Sequence, residues 1–374
     1  MFDKLIHLRE DFRRDGLAAH FLVGSTLMRL VAKSIPGNIL QIGYPMVCEE
    51  EFKACKKILK KTQDLDIEPG LVGHAIESHI KLLSGLVKPY PKASCSTFVP
   101  VSESMSQQVF KTNSHEVALK RGVSMIKLFK RLTRSTENEF DVALVDSTNL
   151  RDKNLIPKLK QFTESFLEAG ARRVLICDSQ GISGPSQIEE IFSHLKPFID
   201  HLEFHPHNDN GNGMQNLKKA IEMGCKYAGT AFFNSGERNT MLDPRELLQS
   251  GIKINFLEKE FDAFYRAYCQ KLPFAPERHS EMAFGKKLMV TGTCYRLFKQ
   301  DSKIPIKFGF TSDRLIISKL LNIDHKNVTR EMVRYGKKKL IEKKQITFSP
   351  KELKEALQDW GLNHETIQHY SKWK

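Results

Sequence analysis

Cysteine is sparse here and unpatterned. Seven cysteines lie scattered along 374 residues, at 48, 55, 95, 177, 225, 269 and 294. None forms a CxxC pair and the number is odd, which argues against a disulfide framework or structural zinc and for reduced thiols. No run approaches the roughly 20 apolar residues that cross a bilayer, so no membrane partner is expected. The opening MFDKLIHLREDFRRDG is too charged for a signal peptide, and a cytoplasmic protein is expected. No G-x-G-x-x-G follows the first apolar run, which counts against a dinucleotide-binding open sheet. Zinc-finger and RRM signatures are missing, as is any aromatic-interleaved basic stripe, so nucleic acid is disfavoured as a partner.

The net charge is nonetheless +14. Much of it sits in patterns such as RYGKKKLIEKK (Arg334–Lys344), which reads as a solvated helix face. A phosphorylated small molecule is the other use for such a charge.

With 40% hydrophobic residues the chain can bury a sizeable core. Apolar runs alternate with helical patterns: Lys4–Arg9, Asn38–Pro45, the weaker Asp66–Gly73, Ala93–Val101, Phe140–Asp146, Arg172–Asp178, Asp200–His205 and Cys225–Phe233. Eight strands with helical crossovers predict a (β/α)8 TIM barrel, an α/β fold. After Asp243 helices dominate. The expected organisation is a catalytic barrel over residues 1–250 and a small, mainly helical C-terminal region over 251–374, serving dimerisation or as a lid.

The richest stretch is HLEFHPHNDNG (His201–Gly211). On a strand, His205 and His207 at i, i+2 share one face. Such a pair can hold a divalent cation, or can be two satisfied histidines in a polar loop. In a barrel, strand ends remote in sequence meet at the C-terminal rim. That brings Arg9 and Glu10, Ser102 and Glu103, Asp146, Asp178 and Ser179, the two histidines, and Glu237 with Arg238 to one mouth. One carboxylate with two imidazoles is then a plausible three-ligand site for a chelating oxo acid. Glu203 stands either to orient a histidine or to hold Arg9, and Glu237 with Arg238 either to act in the site or to close the mouth as an ion pair.

Four stretches in order, LRE (Leu8–Glu10), ILQIGYPMVCEEEF (Ile39–Phe52), DSQGISGP (Asp178–Pro185) and EFHPHNDNG with SGERN (Glu203–Asn239), resemble the metal-dependent Claisen-condensing and lyase enzymes on TIM barrels. That family includes isopropylmalate synthase, homocitrate synthase and hydroxymethylglutaryl-CoA lyase. Glu after Arg, Glu203 and the Gly236–Asn239 run look most like homocitrate synthase. The resemblance implies that Glu10, His205 and His207 bind Mg²⁺, Mn²⁺ or Zn²⁺, and that Arg9 holds the oxo-acid carboxylate. It further implies that Ser179 and Arg238 touch substrate and that Arg9, which would also stabilise the developing enolate or alkoxide, takes a catalytic part with Glu203 and Glu237. The implied reaction condenses acetyl-CoA with a 2-oxo acid in a homodimer. Carbon–carbon cleavage on the same site, or a catalytically impaired oxo-acid-binding descendant, are the alternatives. Two departures favour the last. Asp11, Phe12 and Arg13 replace the family's Gly-Glu-Gln, and Ala283–Arg296 lacks the two histidines of the family's AF-x-H-x-x-GIH segment.

Overall fold

The computed structural model describes residues 4–13, 23–112, 114–149, 154–234, 241–271, 306–309, 312–343, 345, 347–358 and 360. Eight parallel strands close into a barrel in sequence order: β1 (His7–Glu10), β2 (Asn38–Gly43), β3 (Ile67–His74), β4 (Ser94–Pro100), β5 (Phe140–Val145), β6 (Arg173–Asp178), β7 (Leu202–Pro206) and β8 (Tyr227–Thr230). The expected TIM barrel is what the chain forms. Its strands are near-continuous apolar runs because one side faces the interior and the other the helices.

The helices between them start where polar groups satisfy the first-turn N–H donors. α1 (Ser25–Ser34) follows β1, and α2 (Glu49–Thr62) follows β2 with Cys48 as cap, its sulfur accepting from Glu51 N–H at 3.4 Å. Three glutamates in the first turn of α2 and Lys60 and Lys61 in its last complement the helix dipole. α3 (Glu77–Val87) completes the third unit. An unanticipated short helix, α4 (Glu103–Phe110), opens at Ser102, whose hydroxyl accepts from Met105 N–H. Eight residues without an apolar stripe left no periodic signal for it. α5 (His115–Leu132), α6 (Leu155–Glu168), α7 (Pro185–His194), α8 (Gly213–Glu222) and α9 (Pro244–Gln249) complete the outer layer.

β8 is shorter than the apolar run Cys225–Phe233. The chain leaves the strand after Thr230, with Phe233 in the left-handed region at φ +62. A later helix, α10 (Glu258–Lys271), explains the departure. Phe232 and Phe233 pack on its Phe261, Phe264 and Tyr268, and the cluster takes in Phe12 at 5.6 Å from Phe264. α10 therefore shares the barrel's own core.

Residues beyond it form a second apolar cluster. A two-stranded ribbon, β9 (Phe308–Gly309) with β10 (Thr347–Phe348), packs with α11 (Arg314–Leu321), α12 (Arg330–Glu342) and α13 (Pro350–Gln358). Among the described residues no helix is long and apolar enough to cross a membrane.

The sequence of α12 suggests a solvated basic face, and the structure corrects this in part. Arg334 and Lys338 are exposed, but Lys337 is buried, near Cys48 of the barrel and Asp313. Burial pushes its ammonium down from 10.5 to about 8. Between those values the unfolded chain binds the extra proton, so this group makes stability rise as pH climbs from 8 to 10.5. Lys337→Met should stabilise the fold at pH 7 by about 2–3 kcal/mol and flatten that rise. Urea unfolding across the pH range checks both; an unchanged pH dependence would contradict the burial.

Candidate active site

Strand alternation sends Arg9 into the barrel interior, where it is 2% exposed. Its Nε donates to Glu203 at 2.7 Å on β7, and its Nη2 to Asp141 at 2.6 Å on β5. Nη1 meets the Gln41 side-chain carbonyl at 2.6 Å, with the amide turned so that its nitrogen donates to the Gly70 carbonyl. Asp141 is shared with Arg172, whose guanidinium also forks onto Glu68 at 2.6 Å on both oxygens. Burial opposes ionisation of Asp141, but Arg172 and Arg9 outweigh it and hold the carboxyl below the usual carboxylate range. Burial raises the Glu203 carboxyl, only partly offset by Arg9. Glu203 thus holds Arg9, one of the two roles its position allowed.

Glu10 faces the other way. β8 lies between β7 and β1, with Glu10 in register with Thr230. Its Oε1 accepts the Phe12 and Phe232 N–H groups at 3.0 and 2.7 Å, and its Oε2 the Thr230 hydroxyl at 2.7 Å. Burial pushes its carboxyl up to about 8 despite those donors.

The acid beside His205 is instead Asp11. Its Oδ2 stands 3.6 Å from His205 Nδ1. The two imidazoles are 5.6 Å apart between centroids and tilted by 56°. His205 is 5% exposed and His207 half-buried beyond the strand end. His205 can lie where it does because β8 offers Gly229 there: a Cβ on that residue would sit 2.7 Å from Nδ1.

Among the described residues no three His, Cys, Asp or Glu side chains gather closely enough to hold a metal ion. The expected set of Glu10, His205 and His207 therefore does not fit a divalent ion as placed. The cause is the strand between them, which takes Glu10 for its own Thr230 and the backbone beyond. Glu237 and Arg238 lie outside the described residues, as does Ala283–Arg296.

The remaining rim is a polar lattice that sequence reading placed but did not connect. Asp146 at the end of β5 has a left-handed backbone, φ +62. Its carboxylate accepts from Ser102 Oγ (2.6 Å), Gln180 Nε2 (2.9 Å) and Asn149 Nδ2 (3.2 Å), while its N–H donates to Ser179 Oγ at 2.8 Å. A strained residue gripped by three neighbours is typical of functional rims. Asp178 is a turn-former: it accepts from Thr148 and Ser183 hydroxyls at 2.8 and 3.0 Å.

The departures after Glu10 are built into the structure. Phe12 joins the aromatic cluster with α10. Arg13 forks onto Glu51 of α2 at 2.7 Å from each terminal nitrogen. Gly43 makes room for that pair, since a Cβ there would meet Glu51 Oε1 at 2.1 Å.

The profile of the family described as HMGL-like matches residues 33–249. Homocitrate synthase from Saccharolobus islandicus is 28% identical over 231 residues, 59% of this chain and 45% of that protein. 2-Isopropylmalate synthase from Campylobacter fetus is 23% identical over 244 residues, 64% of this chain and 46% of that protein. The chain spans about half the length of these curated relatives. A hydroxymethylglutaryl-CoA lyase structure from Pseudomonas aeruginosa matches with a TM-score of 0.58 at 13% identity, over 73% of this chain and 95% of that one. An HMG-CoA lyase from Acinetobacter baumannii, solved with coenzyme A and 3-methylmalate, matches with a TM-score of 0.57 at 14% identity, over 71% and 91%. At such identities the structural likeness shows the barrel fold.

Gly229→Ala should push the His205 ring aside and cost about 1–3 kcal/mol. Urea unfolding and the histidine ring signals in NMR check this, with exposed Leu248→Ala as control. Unmoved His205 signals at unchanged stability would refute the close approach.

Proposed function

The chain belongs to the HMGL-like family, and on that footing we propose that it makes or breaks a carbon–carbon bond between an acyl-CoA and a 2-oxo acid at the C-terminal mouth of its barrel. Curated relatives named homocitrate synthase and 2-isopropylmalate synthase support condensation with acetyl-CoA. The neighbour solved with coenzyme A and 3-methylmalate, a 2-hydroxy acid, supports a coenzyme A thioester and a small carboxylic acid as ligand types. The observation that carries the reading is His205, buried at the end of β7, with Asp11 3.6 Å from its Nδ1.

Condensation needs a base for the methyl next to the thioester. With its proton on Nδ1, drawn by Asp11, the imidazole presents Nε2 as that base. Arg9 contributes position: each of its three nitrogens has an acceptor inside the barrel, and by holding Glu203 it sets where His205, two residues on, comes to rest. In this proposal the Ser179 hydroxyl, placed by Asp146 N–H, meets the oxo-acid carboxylate. Glu237 and Arg238 keep the catalytic and substrate-binding roles that the resemblance implies. The divalent ion it also implies does not fit Glu10, His205 and His207 as they stand, so the chemistry proposed rests on the chain's own groups. The basic surface suits the phosphates of an acyl-CoA, and the helical region after α10 is proposed as a lid or homodimer contact.

Cleavage of a hydroxyacyl-CoA is the same chemistry reversed. A binding-only descendant is favoured by the committed oxygens of Glu10. Free thiol released from acetyl-CoA should rise above background with at least one of a panel of 2-oxo acids, tested with and without Mg²⁺, Mn²⁺ or Zn²⁺. It should fall about 100-fold or more in His205→Ala. No release with any acid would contradict the condensing reading, and oxo-acid binding without turnover would assign the chain to the binding-only class.

A further inference from the structure

Above the layer that holds Arg9, the barrel interior changes character. Asp141 faces inward to Arg9, so strand alternation turns Ala143 and Val145 inward as well. Register extends the row: Ala143 pairs with Phe98 on β4 and Leu175 on β6, and Phe98 pairs with His74 on β3. Gly73 fixes the direction of His74, because a Cβ on Gly73 would meet Leu83 of α3, outside the barrel, at 2.9 Å. His74 is exposed, and Phe98, Ala143 and Val145 are half-buried. Interior side chains that solvent reaches line the open C-terminal mouth. These lie across it from His205, since β3 and β7 are at opposite points of the closed ring.

This wall is uncharged and largely apolar. The His74 ring meets Phe98 edge-on at 4.7 Å, and Tyr44 and His79 at 5.4 Å. Its N–H donates to His79 Nδ1 at 3.2 Å, a nitrogen that must be free of a proton to accept. Burial and the neighbouring His79 hold the His74 imidazole down to about 4, so it is neutral at pH 7. Arg9, in the layer below, has its three nitrogens on Glu203, Asp141 and Gln41. After Val145 comes the Asp146 carboxylate, which adds negative charge at the rim.

None of Tyr44, His74, Phe98, Ala143 and Val145 is cationic. A carboxylate laid against them would lose its water without gaining a partner. An apolar group would instead bury area there, and Ala143, the smallest side chain of its row, gives it room. Resting on the reading of this mouth as an acyl-CoA and 2-oxo-acid site, we propose that the wall from β3 to β5 selects the oxo acid. It takes one with an uncharged, apolar side chain, seated on His74, Phe98 and Ala143, and it rejects one with a second carboxylate.

Calorimetric titration of the full chain with 4-methyl-2-oxopentanoate, 2-oxoglutarate and the 5-methyl ester of 2-oxoglutarate tests this. The first should bind about tenfold or more tightly than 2-oxoglutarate, and the ester, which removes the second charge, should recover most of the difference. His74→Arg, at an exposed position, should tighten 2-oxoglutarate about tenfold. Ala143→Leu should weaken 4-methyl-2-oxopentanoate by about the same factor, and the surface change Leu248→Ala should alter neither. Thiol release from acetyl-CoA with the same acids separates this proposal from the reading beneath it. The expected order of binding without release upholds the wall and removes condensation; release fastest with 2-oxoglutarate upholds condensation and overturns the wall. Equal binding of the two acids, an ester no better than 2-oxoglutarate, or binding indifferent to both His74→Arg and Ala143→Leu would also overturn it. Neither binding nor release with any of the three would overturn both.

Discussion

A single buried arginine ties the strands of this barrel together. Arg9 reaches from β1 to Asp141 on β5, Glu203 on β7 and Gln41 on β2, and through Asp141 to Arg172 and Glu68 on β3. Barrel interiors are ordinarily packed with branched apolar side chains. Burying charges in their place adds little net stability, because desolvation offsets most of the Coulomb gain, but it penalises every arrangement that leaves one partner alone. The network therefore acts on register. It determines how far each strand rises and hence which residues emerge at the two mouths.

Both mouths show the consequence. Towards the C-terminal end, Glu203 is held at a fixed height, so His205 two residues later meets Gly229 and Asp11 at the rim. Towards the N-terminal end, Arg172 forks onto Glu68 and joins Arg9 on Asp141, which ties the lower parts of β3 and β5 to the same network. The changes around Asp11, Phe12 and Arg13 follow the same logic. Each has a partner formed by residues far along the chain, Phe12 with α10 and Arg13 with Glu51, so this segment is a built variant of its family's first motif and not a decayed one.

The barrel was legible in the amino-acid sequence because strands buried on both sides must be continuous apolar runs, and eight of them alternate with helical patterns. The histidine pair was legible from its i, i+2 spacing at a strand end. What was not legible depended on contacts between distant residues. Nothing local says that Phe232 and Phe233 leave β8 for a helix 30 residues later, or that Lys337 on a basic helix is buried near Cys48. Adjacent positions on β1 point to opposite sides, so Arg9 and Glu10 could not both face the histidines; the resemblance named them as a pair, and strand geometry separates them. Asp141 in the run FDVALV and Glu203 in LEFHP were local clues to a charged interior.

The most direct measurement is a double-mutant cycle between Arg9 and Glu203, read by urea unfolding. Arg9→Met alone should cost about 3–5 kcal/mol by stranding buried carboxylates. Adding Glu203→Leu should recover part of that loss, with a coupling energy of about 1–3 kcal/mol. Additivity within about 0.5 kcal/mol, or an Arg9→Met protein as stable as the parent, would contradict the claim that this buried network sets the register of the barrel.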